Sequence, residues 1–416
     1  MKRIKFNQIK IKILTFCYLL MSSYFFIKIC DHFDFVPGYQ CIAPSTLKIA
    51  ISIFLASIPI VFLPLSGSSP NNVVLWVLYY SHIVPSILMY PLIVNDGDFI
   101  FPLAISIFFA GIILISQRIK WNITEVKFKN HWFGLLLIAL VFISTVYINL
   151  SFGINFTAPS IYDVYGVRSE YQEEIIKSGS ILAGYIVIVS GFVFSSFSLV
   201  FGIRLYKQNK IMSCVYFGFA VWLSFSIFSA TGFKSVAFAP LVVLLFYVAG
   251  KWFENYSNLI AVGIPLISLV GFLFSRYFDV DVGFYHWYRR VFMVPGMNAN
   301  YFYDYMSIHG IYHLSGAPQA ISEYYYRTFG SANAGLMGDG YAKFGYIGLL
   351  LNSGLLIGTL VLIKSISRNI DPRVSCPLIL PIAYAMSNSA LTSVFFTYGL
   401  LFYMLFLFVG SWQFKK

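Results

Sequence analysis

The sequence predicts an all-α polytopic membrane protein with about 12 transmembrane helices. Both termini are expected on the cytoplasmic side and two long loops on the other. Three observations carry this. Hydrophobic residues make up 59% of the 416-residue chain and charged residues only 11%, with a mean hydropathy of +0.77. A water-facing surface cannot be built from so few charges, whereas lipid solvates such a chain well. Apolar runs also recur at the length of about 20 residues that a helix needs to cross the hydrocarbon. Finally, the charges are sorted. Counted over alternate connections, 18 of the 28 basic residues but only three of the 16 acidic ones fall on the side of the N-terminus. That asymmetry is the positive-inside pattern. The net charge of +12 is therefore a topology signal and not a nucleic-acid footprint.

Taken in order, spans are predicted near residues 12–29, 46–65, 72–94, 98–116, 132–152, 180–203, 212–228, 235–250, 257–275, 341–363, 375–390 and 394–413. Residues 1–416 are expected to form a single integral membrane domain. The first span follows the basic lead-in "MKRIKFNQIKIK". It is too long for a signal-peptide core and has no small-x-small cleavage site after it, so it reads as a retained anchor. Cys17, Cys214 and Cys376 lie in or beside spans, as packing residues. Cys30 and Cys41 flank the external stretch "DHFDFVPGYQ" and are able to pair in an oxidising compartment, though sequence alone does not give their distance. The tightly spaced pairs around 212–250 and 375–413 also fit re-entrant segments.

Most connections are short, which makes two external ones conspicuous: residues 153–179 and 276–340. Loops of that length inside a compact protein are functional or disordered. The second is crowded with Tyr, Phe and Trp, so disorder is not expected. Short amphipathic helices on the outer membrane surface are, for example around Asn298–Ile308. The two loops carry Arg168, Arg276, Arg289, Arg290 and Arg327, and Lys234 and Lys343 stand near helix ends on the same side. Such cations often snorkel to the interface. Their presence on the side that topology normally starves of positive charge points instead to an anionic head group, which a guanidinium fork grips bidentately. Candidate proton acceptors are Asp163, Glu170, Glu173, Glu174, Asp304, Glu323, Asp339, His286, His309 and His313. The "HGIYH" pair lacks a third ligand nearby, so no metal site is expected. Aromatic runs such as "YYY" at 324–326 suit the interfacial belt and also suit stacking on sugar rings. No Walker loop, dinucleotide fingerprint, nucleophile elbow or zincin motif occurs.

Four stretches, "VYGVRSEYQEE", "SATGFKSVAFAPL", "RRVFMVPGMNANYFYDYMS" and "ANAGLMGDGYAKFGYIGLLL", resemble the Wzy-type O-antigen polymerases, the oligosaccharide repeat unit polymerase family. The resemblance covers the order of elements from about residue 130 onward. It implies a multi-pass protein of the bacterial inner (cytoplasmic) membrane, acting in lipopolysaccharide biosynthesis with its active site facing the periplasm. The implied reaction is polysaccharide elongation from undecaprenyl-diphosphate-linked oligosaccharides. No cofactor or metal is implied, and a chain-length regulator is implied as a partner. Family members have been described with Arg-x10-Gly patterns in two periplasmic loops. Arg168 with Gly179 and Arg327 with Gly338 fit that spacing, whereas Arg276, Arg289 and Arg290 depart from it. Lys234 stands where relatives often show Arg.

Residues and resemblance together nominate Arg168, Arg290, Asp304, His309 and Asp339 as catalytic. Lys234, Arg276, Arg289, Asn298, Tyr303, Arg327, Asn333 and Lys343 are nominated for substrate binding. Gly335, Gly338 and Gly340 are expected to form a tight water-facing turn that approaches the ligand, with Asp339 and Lys343 above the head-group layer. Two alternatives remain open. In an O-antigen ligase a histidine of the large outer loop is essential, a place His309 or His313 would fill. A lipid-linked oligosaccharide flippase or sugar transporter would carry cations inside its spans and show matching halves, and neither feature is visible.

Overall fold

The computed structural model describes residues 7–95, 98–123, 130–153, 166–168, 170–171, 173, 181–253, 255–278, 280–310, 316–328, 330–411 and 413–414. Among these the chain is helical throughout, without a β-strand. Eight helices are long and apolar enough to cross a membrane: Gln8–Phe33, Pro70–Ile93, Ile100–Arg118, Trp132–Phe152, Ala183–Leu205, Lys210–Thr231, Tyr256–Phe278 and Gly335–Ile366. Thr46–Val61, Ala239–Ala249 and Leu400–Val409 are apolar but shorter. The chain is thus a polytopic helical protein. Its contacts divide it into two compact units. One comprises Met1–Trp121, Phe253–Lys364 and Ala383–Leu391; the other comprises Asn122–Trp252, Ser365–Ile382 and Thr392–Lys416.

The first unit is organised around Pro70–Ile93. This helix is apolar on all sides and wholly buried over its most hydrophobic stretch, as expected of a helix with no face left for solvent or lipid. Gln8–Phe33, Thr46–Ser57, Tyr256–Phe278 and Val294–His309 surround it. Outward residues such as Ile107, Leu266, Ile267, Val270 and Leu273 are exposed and apolar, as a lipid-facing surface requires. Hydroxyls in so dry a core need partners. Tyr79 donates to the carbonyl of Ala56 at 2.9 Å, Tyr80 to that of Ala261 at 2.8 Å, and Ser22 meets the Tyr288 hydroxyl at 2.8 Å. The helix is widened by a π-helical turn at Tyr79–Ile83, and a second π turn at Arg289–Met293 packs against it. Such turns push one residue out of the regular i→i+4 ladder and are common at functional sites.

Two expectations for this unit are overturned. Val294–His309 does not lie on the membrane surface as an amphipathic helix. It is buried along almost its whole length. Gly296 brings it so close to Pro85 and Ser86 that an added Cβ would sit 2.2 Å from backbone. Asn300 donates to the carbonyl of Ser86 at 2.9 Å. The glycine-rich segment is likewise no open turn. Residues 335–343 are helical, and the helix breaks at Phe344 (φ −145°, ψ 20°) and Gly345 (φ 61°, ψ −140°). Asn352 then donates to the carbonyl of Leu336 at 2.9 Å, a contact that a continuous helix rising about 1.5 Å per residue would forbid. An alanine Cβ at Gly348 would lie 1.8 Å from the Gly340 oxygen. The pairs 336–352 and 340–348 share one centre at Phe344, so the short leg folds back antiparallel on the long one.

In the second unit Asn130–Phe152, Ala183–Leu205 and Lys210–Thr231 pack together. Gly202 lets Ala183–Leu205 approach Ser213 and Tyr216, where a Cβ would meet atoms at 3.1–3.2 Å. Phe133, Phe197, Phe201, Phe406 and Phe414 fill the interior edge to face. At one end Arg204 pairs with Asp371 at 3.2 Å. Lys210–Thr231 finishes at Gly232, left-handed at φ 63°, the usual helix stop.

Candidate functional site

The π turn at Arg289–Met293 sets two adjacent cations in different surroundings. Arg289 is only 7% exposed. Its guanidinium lies 4.1 Å from the Phe33 ring centroid and 4.7 Å from that of Tyr39, and Nη2 is 3.3 Å from Nδ1 of His286. Two ring faces thus stabilise a cation withdrawn from bulk water. Arg290 is exposed, and its carbonyl accepts from the Tyr384 hydroxyl at 3.4 Å. Both charges reach the same tyrosines. Burial raises the Tyr39 and Tyr326 hydroxyls above their ordinary pKa, and the Arg289 and Arg290 charges oppose that rise.

Around this pair the structure gathers several nominated residues. Tyr326 donates to Oδ1 of Asn298 at 2.6 Å, and Nδ2 of Asn298 donates to the carbonyl of Asn333 at 2.9 Å. One asparagine therefore joins the buried helix to the chain that leads into the folded-back leg. Aromatic rings continue outward. Tyr39 lies 6.0 Å from Tyr326, Tyr326 lies 5.8 Å from Tyr301, and Tyr301 stacks on Tyr325 at 4.0 Å. Tyr325 donates to Oδ2 of Asp304 at 2.5 Å. Burial first, then this bond, holds the Tyr325 hydroxyl far above its ordinary pKa, so it stays a donor. His309 lies against Tyr305 at 4.4 Å and Tyr324 at 5.4 Å, and Tyr324 meets Tyr325 at 4.9 Å. Arg289, Asn298, Asn333, Asp304 and His309 thus share one connected tyrosine-rich network, with Arg290 next to it in sequence.

Other nominated residues lie elsewhere. Tyr303 is buried, not open to a ligand, and packs on Phe101 at 4.5 Å and Tyr341 at 5.2 Å. Arg276 is committed to an ion pair with Asp281 at 2.8 Å. Asp339 and Lys343 pair with each other at 3.0 Å along the short leg. Arg327 caps the Ala317–Tyr326 helix at φ 54°, the one described non-glycine residue with positive φ. Arg327 is exposed, while Tyr326 before it reaches Asn298. The three glycines of the short leg pack closely against protein. A Cβ at Gly335 would lie 2.2 Å from the Ser387 oxygen, at Gly338 3.0 Å from Ala299, and at Gly340 2.8 Å from Gly348.

In the second unit Arg168 donates from Nε and Nη2 to the carbonyl of Gly232 at 3.3 and 3.2 Å, and stands over Phe233 at 5.3 Å. Lys234 follows directly, opening a short helical turn. Both residues thus stand beside the Gly232 end of Lys210–Thr231. Asp163, Glu174, Gly179 and His313 lie outside the described residues. So does most of the 153–179 loop.

Cys30 and Cys41, whose pairing the sequence left open, form a disulfide, which ties down the stretch bearing Tyr39. The structure also adds groups that the sequence did not single out. Phe33 and Tyr39 supply the rings around Arg289. His82 is buried on the π turn of the central helix, and its Nε2 accepts from the amide of Met337 at 3.3 Å. A lone histidine inside an apolar span was the available signal; its partner was not visible without the fold. No protein-family model, curated protein or solved structure matches this chain.

Proposed function

We propose that the chain is a membrane glycosyltransferase that joins prenyl-diphosphate-linked oligosaccharide repeat units into a surface polysaccharide, as the resemblance to O-antigen polymerases implies. The single observation that carries this is the Arg289–Arg290 pair, a caged cation beside an exposed one, in a segment that the charge sorting of the sequence assigns to the side poor in positive charge. In the reaction a sugar hydroxyl oxygen of one unit bonds to the anomeric carbon of another. The bond from that carbon to the diphosphate oxygen breaks, and its electron pair leaves with the diphosphate. Arg290 grips the departing charge. Arg289, held by its rings, supplies a fixed positive field that needs no reorganisation as charge develops. Asp304 or His309 takes the hydroxyl proton. The tyrosine network lines the sugar path and keeps water from the donor.

In this proposal the three shorter apolar helices and Pro372–Asn388 bring the passes to twelve. Both termini then lie in the cytoplasm, the site faces the periplasm of a bacterial inner membrane, and a chain-length regulator acts alongside. The decisive experiment is elongation of a defined lipid-diphosphate repeat unit by the purified protein in EDTA. Long chains support the proposal and its metal independence; unreacted substrate overturns it. In cells, deletion should leave the acceptor core carrying a single unit. A core with no unit at all would identify a flippase or ligase instead.

A further inference from the structure

Cys30 sits in the last turns of Gln8–Phe33, and Cys41 follows 11 residues on. Between Asp34 and Ser45 the chain has no regular structure of its own. Two turn bonds shape it, Val36 N to Phe33 O at 2.9 Å and Tyr39 N to Val36 O at 3.0 Å, and Ile42 N ties its far end to Leu92 O at 2.7 Å. This segment is nevertheless one wall of the arginine site. Phe33 and Tyr39 flank the Arg289 guanidinium. The carbonyl of Gly38 accepts from the Tyr301 hydroxyl at 2.5 Å. Gly38, at φ 81°, lies so close to Tyr326 that an added Cβ would sit 2.4 Å from its ring. All three anchor points, Arg289, Tyr301 and Tyr326, lie 250 or more residues further along the chain than the loop residues they touch.

We propose that the Cys30–Cys41 disulfide is a positioning element of the Arg289–Arg290 site. It holds Tyr39 on Arg289 and Gly38 on Tyr301 and Tyr326, so the site's affinity for a diphosphate depends on the bridge. The proposal rests on the reading of this pair as a diphosphate site. Its physical basis is preorganisation. Without the bridge, a loop with so few internal bonds would sample many conformations. Each departure would strip a ring from a nearly buried guanidinium and let water compete for it. The bridge confines the loop to the conformation in which those rings are in place.

The test uses the full-length protein in detergent, oxidised, reduced with dithiothreitol, and as the C30S/C41S double variant. Two electrons and two protons from the dithiol, which itself becomes a cyclic disulfide, convert the bridge to two thiols. Inorganic pyrophosphate binding is measured well below the unfolding temperature, and amide hydrogen exchange is followed by mass spectrometry. Opening the bridge should weaken pyrophosphate binding by about tenfold, a loss of roughly 1.4 kcal/mol. It should also speed exchange at residues 286–302 and 320–327 as well as at 33–42. Unchanged affinity with faster exchange confined to 33–42 would mean a plain staple and would overturn the proposal. If the oxidised protein binds no pyrophosphate, the diphosphate reading fails. The exchange pattern alone then decides whether the bridge positions these helices. Should the double variant fail to fold, reduction of the folded wild-type protein supplies the same comparison.

Discussion

Arg289 and Arg290 are neighbours in sequence with different surroundings. Adjacent side chains on a helical turn diverge, so one points into the Phe33–Tyr39 box while the next stays exposed. Arg290→Ala should therefore leave insertion and thermal stability near wild type. It should lower elongation by about 10- to 100-fold, the worth of one charge-assisted contact of roughly 1.5–3 kcal/mol. Arg290→Lys should recover part of that loss, because a point charge survives where a fork does not. Elongation kinetics with matched melting curves check both; full activity in Arg290→Ala would remove this residue from the site.

His286 gives the site a pH signature. Burial, then the charges of Arg289, His32 and Arg290, hold its imidazole below the ordinary value. The folded protein thus takes up this proton less readily than the unfolded chain does. The stability contribution is complete above the ordinary histidine value, about 6.5, and is lost as pH falls below it. An anion docked at Arg290 offsets the repulsion and favours protonation. By linkage, pyrophosphate should bind more tightly to wild type than to His286→Gln as pH drops from 8 to 6, with the two converging at pH 8. Pyrophosphate itself titrates, so the difference between the proteins is the informative quantity. At this scale the cations were legible because charged residues are few in so apolar a chain. Their partners were not: Gly38 and Tyr301, which touch, stand 263 residues apart in sequence.

At the scale of one element, Gly335–Ile366 separates what a hydropathy pattern sees from what backbone geometry allows. The apolar run was evident, but the reversal at Phe344–Gly345 was not, since a glycine inside such a run carries no unique meaning. The fold makes its role specific. Gly345 holds φ 61° and ψ −140°, a region closed to side chains, so Gly345→Ala should cost about 1–3 kcal/mol. Gly348→Ala forces apart two backbones that touch and should destabilise the leg by a similar amount. Gly354 meets nothing within 4 Å, so Gly354→Ala in the same helix should be neutral or slightly stabilising. Thermal unfolding of the three variants, with limited proteolysis between residues 330 and 345, tests the ranking. Equal effects at all three positions would argue against the hairpin. The same comparison explains the error over Val294–His309. A surface helix was expected around Asn298–Ile308, yet Asn298 and Asn300 spend their polarity on carbonyls and a phenol inside the first unit.

At the scale of the whole molecule, charge sorting makes one further commitment, that both termini are cytoplasmic. A fluorescent protein that matures only in the cytoplasm, fused after Lys416 or before Met1, should fluoresce in both cases; a dark, fully expressed C-terminal fusion would break the topology. By itself the sequence determined that this is a helical membrane protein, where its apolar segments lie and which residues are rare cations, because composition and the length of apolar runs are local properties set by the solvent. Only the tertiary structure decided the burial of Val294–His309, the folding back of residues 335–343, the Cys30–Cys41 bridge and the aromatic cage around Arg289. Each of those depends on which distant surfaces come into contact, and a helix buried among other helices leaves no periodic mark by which its partners can be read.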